Sequence, residues 1–499
     1  MKNKPLFILS NSLLNVLLKK ESSNVARIIK IGLPCFLAFY FVVQHFYPGA
    51  MSPDSINILT QARTDNISDS FPIFNVYLWK FLDQYVVEGP AGMLVLNMLL
   101  YYAGLFMACY SLAKTYSRLS SLVCMLFGFF PPIIGILGAV WSDITLTSLL
   151  MFLLGLSVIT GFGAERDTLS KPVKYFVAII GLVIAFAAVS TRHNAAAAVI
   201  PMVFLLFSSL MPNLTKGNAI SLVRFGRLLA VFLLAVMATV GFFAASKYLN
   251  NAYTVEKKNF WRVTVLYDLT GISCRTKKDY LSEILESGQG MDNICALYTP
   301  NSYIPLVFGE QIHELDAKRR FKGVPLKIRD GDDDINEYLL KYWMSVIIDN
   351  PIAYFKHRAD FFLALTTRSF GALWAPVFDA IYSNELGVAA RDKVDSTVFE
   401  EVRSLSLNSI IFLPIVYALL ALVVFGISFV VILKQNSLSN RILSTFALAV
   451  SLSGLLHLLG VSVFAVSSDF RYSHWLIVSS LMSVALLLFS FIENESNYK

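Results

Sequence analysis

The sequence predicts an all-α, polytopic membrane protein with about ten transmembrane helices and a large, mainly helical extracytoplasmic insert. Three observations predict it. The 499 residues are 56% hydrophobic and only 15% charged, with mean hydropathy +0.62, so a soluble surface could not be covered. Apolar stretches of about 20 residues recur, the length that crosses a hydrocarbon core as a helix, and lipid leaves loose backbone groups no other partner. The loops between these stretches alternate in charge, every second one being basic.

Residues 1–28 form the first segment. Its apolar run Leu6 to Leu18 is interrupted by Asn11, Ser12 and Asn15 and ends on Lys19 and Lys20, with no small-residue cleavage site after it. That pattern predicts an interfacial amphipathic helix rather than a cleaved signal peptide. Spans follow near 29–47, 92–113, 120–140, 144–162, 175–191, 196–212 and 228–248, with a first outer loop at 48–90. An insert at 249–405 is rich in mixed charge and long enough to form a compact domain. Its stretch "EYLLKYWMSVIIDNPIAYFKHRADFFLAL" reads as amphipathic helices from which His357 and Arg358 snorkel. Three more spans, near 407–433, 442–466 and 473–492, occupy the last segment, 406–499.

The basic loops hold Lys114 and Arg118, then Arg166, Lys171 and Lys174, then Lys216, Arg224 and Arg227, then Lys434 and Arg441. The positive-inside rule puts them and both termini in the cytoplasm. The formal net charge of +7 is thereby an orientation signal, and no nucleic-acid partner is expected from it. Cys35, Cys109 and Cys124 lie in apolar runs and read as packing residues. Cys274 and Cys295 share the polar insert and could pair if it faces an oxidising compartment; spacing alone leaves this open.

The opposite face collects the unusual residues. "MSPDSINILTQARTDNISDSFPIF" brings Asp54, Asp65 and Asp69 just past the first span. "WSD" places Asp143 beside Trp141 at a tight turn, "RHN" supplies Arg192, His193 and Asn194 at the next, and "SSDFRY" supplies Asp469, Arg471 and Tyr472 at the last. Charge this close to lipid must reach water, pair or work. Asp54 follows Pro53 and could cap a helix, act in chemistry, or both. Asp143 is open to the same two readings, with Trp141 as interface anchor or site wall. Asp65 reads as a solvated loop acid and Asp69 stands between loop acid and site acid. His193 reads as a satisfied packing histidine sooner than as a catalyst. A carboxylate can take a proton from an attacking hydroxyl, and arginines can hold a phosphate and stabilise its charge as it leaves. There is no Gly-rich nucleotide loop and no His or Cys metal signature. The energy of reaction would then come from an activated lipid donor or a gradient.

At these residues the chain resembles the GT-C superfamily, the integral-membrane glycosyltransferases that use polyprenyl-phosphate sugars. "SPDS" matches the acidic motif of the first outer loop, with Asp54 at the acidic position, and "VWSDITLTSLLMF" matches the second acid, with Asp143. "DSFPIFNVYLW" resembles a downstream Asp/His-Pro-Pro segment with a single proline, and "TRHNAAAAVIP" and "DFRYSHW" are similar to segments of bacterial members. The resemblance implies inverting sugar transfer from a polyprenyl-phosphate-sugar donor to a glycan or lipid-linked acceptor at the bacterial cytoplasmic membrane. It implies Asp54, Asp143 and Asp69 as the acidic set, and Arg192, His193, Asn194, Arg471 and Tyr472 as the donor-phosphate set. Some members need a divalent cation and others do not, so the cofactor stays open and no metal ligand is assigned. Two other readings stand beside it. A transporter or flippase for a lipid-linked saccharide is suggested by Pro131 and Pro132, which break a span near its middle. An O-antigen polymerase or ligase would transfer a whole glycan.

Overall fold

The computed structural model describes residues 23–113, 117–165, 170–192, 194–211, 222–285, 290–308, 310–312, 320–322, 333–371, 375–434 and 438–496. The chain is a multi-pass, helical membrane protein. Among the described residues eight helices are long and apolar enough to cross a membrane, or nine if one bent pair is a single span. The run Leu6 to Leu18 and His193 lie outside the described residues.

The first span is α1 (Asn24–Phe46), whose amino end is capped by the Ser23 hydroxyl accepting from Ala26 N at 3.3 Å. The first outer loop folds as two short helices, α2 (Pro53–Thr64) and α3 (Ile73–Tyr85), around a small core of Met51, Ile58, Leu59, Val76 and Trp79. Next come α4 (Ala91–Leu112), the bent pair α5 (Ser117–Phe129) and α6 (Pro131–Leu137), α7 (Ser142–Glu165), α8 (Lys171–Thr191), α9 (Ala196–Leu210) and α10 (Leu222–Tyr253). The third expected span is thus broken. Phe130, ahead of two prolines, is extended, and the halves meet at 50°. The expected span 196–212 is a helix of only 15 residues, walled in by protein on all of Ala198, Val199, Met202, Val203, Leu205 and Leu206.

The insert contributes α11 (Trp261–Thr276), α12 (Met291–Leu297), α13 (Ile304–Phe308), a short antiparallel strand pair of Glu310–Ile312 with Arg320–Lys322, α14 (Asp333–Asp349), α15 (Pro351–Thr367) and α16 (Thr397–Asn408). Three spans close the chain: α17 (Pro414–Lys434), α18 (Leu438–Phe464) and α19 (His474–Ser496). The eighth expected span begins seven residues late, at Pro414 rather than 407. The apolar run "LNSIIFL" is taken up by the end of α16 and a 3₁₀ turn in which Ser409 Oγ accepts from Ile411 N.

Val265, Tyr267, Leu306, Phe361 and Phe399 of the insert pack in the same cluster as residues of the spanning helices. His357 and Arg358 do not snorkel: they are 0% and 7% exposed because Asp268 of α11 receives both. Cys274 and Cys295 are bonded, with Cα atoms 5.6 Å apart, tying α11 to α12. Inside the bundle, polar side chains stitch helices through backbone carbonyls. Ser453 Oγ donates to Ala198 O at 2.6 Å, Trp475 Nε1 donates to Ser453 Oγ at 2.9 Å, and Ser480 Oγ donates to Tyr417 O at 2.9 Å.

Candidate functional site

Four segments far apart in sequence meet at one end of the bundle. Backbone contacts set the frame. Val140 N donates to Ala50 O at 2.9 Å, and Ala50 N donates to Gly138 O at 3.2 Å, lacing the first outer loop to the turn before α7. On its other side Met51 N donates to Ala380 O at 2.9 Å and Tyr382 N to Met51 O at 3.0 Å, so the end of the insert clamps the same strand. Two glycines permit this. A Cβ on Gly138 would sit 1.9 Å from the Phe46 ring, and one on Gly135 would sit 2.2 Å from Pro376 O. The break ahead of α6 is also pinned: Phe378 N donates to Gly135 O at 2.9 Å and His474 Nε2 lies 3.2 Å from Ile133 O.

Asp54 stands in the first turn of α2. Ser52 is the residue at the cap position, with its N–H on Ser55 Oγ at 3.3 Å, so the Asp54 side chain is not used as the cap. Asp54 is 43% exposed and meets Arg471 Nη2 at 2.7 Å. Asp143, in the first turn of α7, is buried and bonds to Arg192, which ends α8. Arg471 reaches further: its Nε is 2.9 Å from Asp469 and 3.9 Å from Asp143. Its guanidinium also lies over the Trp141 ring (4.9 Å) and the Tyr472 ring (5.2 Å), while Arg192 covers Tyr472 at 4.7 Å. Trp141 is held by its Nε1 donating to Ser52 Oγ at 2.8 Å, which makes it a wall of the site.

The cluster is a ladder of alternating charge: Asp143 with Arg192, and Arg471 among Asp54, Asp143 and Asp469. Three carboxylates against two guanidiniums leave a formal charge of −1. Removing an arginine would strand buried carboxylate, and removing a carboxylate would free an arginine for an incoming anion. Each guanidinium is held flat by rings, so its direction is set before any ligand arrives. Among the described residues no group of three or more His, Cys, Asp or Glu is placed to hold a metal ion. A cation at these acids would have to displace Arg471.

Asp54, Asp143, Arg192, Arg471 and Tyr472 are thus brought together, with Asp469 among them. Asp69 stands apart. Its carboxylate accepts from Lys258 N at 2.7 Å and Asn259 N at 3.0 Å, anchoring the first outer loop to the chain after α10. Both of its oxygens are turned to these backbone N–H groups. Asn194 follows the turn, its carbonyl toward Gly460. Asp65 is exposed and pairs with Lys80, as a loop acid would.

Two contributors carry no sequence signal of their own. Asn75 of α3 donates from Nδ2 to Ser142 Oγ (3.0 Å) and Thr191 O (2.7 Å), joining the residues next to Asp143 and Arg192. Its one hint is a buried amide inside the apolar run "IFNVYLW". Tyr303 of the insert stands within electrostatic reach of Asp54, Arg471 and Tyr472, and burial pushes its hydroxyl well above the ordinary tyrosine range. Its N–H donates to Val466 O at 2.9 Å and Ser468 N donates to Asn301 O at 2.8 Å, so the insert carries the Arg471 segment.

An apolar cavity of about 330 Å³ lies between Phe74 and Tyr77 of α3, Phe186 and Ser190 of α8, and Leu249 and Tyr253 of α10. Ser190 and Phe74 are the sequence neighbours of Thr191 and Asn75, whose contact joins α8 to α3 near Arg192. No known protein family, curated protein or solved structure matches the chain significantly.

Proposed function

We propose that the protein is a membrane glycosyltransferase that moves a sugar from a polyprenyl-phosphate-linked donor to a glycan or lipid-linked acceptor, with inversion. One observation carries the reading. Asp54, Asp143 and the guanidiniums of Arg192 and Arg471 meet at the end of the spans, and an apolar cavity has Ser190, two residues before Arg192, in its wall. The donor's phosphate would sit on Arg471 and Arg192 and its hydrocarbon tail in the cavity. The acceptor hydroxyl oxygen attacks the anomeric carbon and gives its proton to Asp54. The bond from that carbon to the phosphate oxygen breaks, and polyprenyl phosphate leaves with charge that the arginines balance.

Arg471 gives this scheme an order. Its Nη2 pairs with Asp54. A donor phosphate competes for the same guanidinium, so its arrival turns an Asp54 oxygen toward the acceptor. Asp143, buried, keeps Arg192 aimed.

The setting follows the same reading. The basic loops support a cytoplasmic location of both termini, and the Cys274–Cys295 bond supports an insert in the oxidising space outside, as a bacterial cytoplasmic membrane would provide. A modification of surface polysaccharide fits that face. The transporter reading draws less support. The helix break that motivated it is pinned by Phe378 and His474, and its α6 half is buried save for Pro131. Transfer of a whole glycan, as by a polymerase or ligase, uses the same chemistry and is separated by product mass.

The test is mass analysis of surface glycans from cells with wild-type protein, Asp54→Asn, or neither. Loss of one sugar increment in both altered strains, with Asp54→Asn inserted at wild-type level, is the expected result. An unchanged glycan profile in Asp54→Asn would remove Asp54 from the chemistry.

A further inference from the structure

The outer edge of α15 carries large apolar side chains that the described chain leaves open. Ile352, Phe355 and Leu363 are 71%, 72% and 42% exposed. Their spacing puts them on one edge of the helix.

Two contacts fix how α15 lies. Near its middle, Arg358 Nη1 donates to Ala465 O at 2.7 Å, one residue past the end of α18. Just past its carboxyl end, Arg368 Nη2 donates to Ser409 O at 3.2 Å, in the turn ahead of α17. The stretch between Arg358 and Arg368 covers about 15 Å of helix. A helix touching the same end of two spans at points that far apart lies across them instead of rising away. Its other sides are assigned by their partners. His357 and Asp360 meet Asp268 and Arg275 of α11, which is the insert side. Arg358, whose Nη2 also pairs with Asp268, lies between the insert and the end of α18, and Phe355 precedes it by one turn. Leu407 (70% exposed) and Ile410 (67%) are also open, next to the Arg368 contacts, and Leu419 and Leu422 are open on the spanning helix α17 that follows.

The geometry points to the lipid bilayer as the partner of this edge. α15 is an interfacial helix, with Ile352, Phe355 and Leu363 at the acyl–headgroup boundary of the leaflet on the insert side, and the exposed Lys356 beside them at phosphate level. The inference stands whether or not the protein is a transferase. A second copy of the chain is the competing occupant.

The test uses full-length protein in vesicles of phosphatidylethanolamine and phosphatidylglycerol. Ile352→Cys, Phe355→Cys and Leu363→Cys are each labelled with an environment-sensitive fluorophore without reductant, which spares the Cys274–Cys295 bond; Cys35, Cys109 and Cys124 are buried. Lipid carrying a nitroxide high on its acyl chain is expected to quench each label about twofold or more, with little quenching by aqueous iodide. Strong iodide quenching with no effect of the nitroxide lipid would overturn the proposal. So would labels shielded from both quenchers whose emission changes with protein-to-lipid ratio, since that assigns the edge to a second copy. Three positions are used so that one variant failing to insert leaves two readouts.

Discussion

Replacing Asp268 by asparagine should unfold the insert at a much lower temperature while keeping its shape. Asp268 is 0% exposed and receives three donors: Trp343 Nε1 at 3.2 Å, His357 Nε2 at 3.0 Å, and Arg358 Nη2 in an ion contact at 2.6 Å. Burial pushes the His357 ring below its ordinary value, against the pull of Asp268. The ring is therefore neutral, donating from Nε2 to Asp268 and accepting at Nδ1 from the Tyr298 hydroxyl at 2.7 Å. The amide has nearly the volume of the carboxylate, so little packing is lost. What is lost is the counter-charge of a buried arginine, worth about 3–5 kcal/mol when one partner is removed. For a region the size of the insert this is on the order of a 10 °C fall in unfolding midpoint. The assay is heating of purified protein in detergent at one scan rate, read by tryptophan fluorescence, with Trp343 as a local reporter. Asp268→Asn combined with Arg358→Met should recover part of the loss, because no charge is left unpaired and the amide oxygen still accepts from His357. A single-variant shift below about 2 °C, or a double variant as unstable as the single one, would refute the electrostatic reasoning.

Other outcomes follow from the same contacts. Cys295→Ser opens a loop with a sequence separation of 21 residues and should cost about 3 kcal/mol, seen as a lower midpoint in the same scan and as loss of the gel shift on reduction. Asp379 is acid-sensitive with a defined sign. Burial would raise its carboxyl, but His45, Arg403 (2.5 Å) and the N–H of Val394 (3.0 Å) outweigh that and hold it at about 2 instead of 3.8. A depressed acid stabilises above its unfolded value and loses that contribution as pH falls toward the folded one. The stability difference between wild type and Asp379→Asn, about 2 kcal/mol at neutral pH, should therefore shrink between pH 3.8 and about 2. A difference that stays constant across that window would mean Asp379 is not held by these partners.

Most of the bundle was legible because hydropathy over a span's length reports a solvent, and lipid imposes it on every helix alike. The site was legible for a related reason. Asp54, Asp143, Arg192 and Arg471 are charges at lipid boundaries, and the shared side of their turns already gathered them. Asp69 carries the same signal, yet its oxygens are satisfied by backbone N–H groups after α10, which no local pattern announces. His357 and Arg358 mislead in the same way. On an amphipathic helix they look like surface groups, and only Asp268, 89 residues earlier than His357, makes burial affordable. Pro131 and Pro132 announced a break but not its purpose, since the residues that pin it, Phe378 and His474, arrive hundreds of positions later.

The ladder of charges has a consequence for biogenesis. Asp54, Asp143 and Arg192 leave the ribosome long before Arg471, and the strand at Met51 waits for Ala380 and Tyr382. During synthesis Asp143 can already pair with Arg192, while Asp54 keeps water as its partner until the last hairpin brings Arg471.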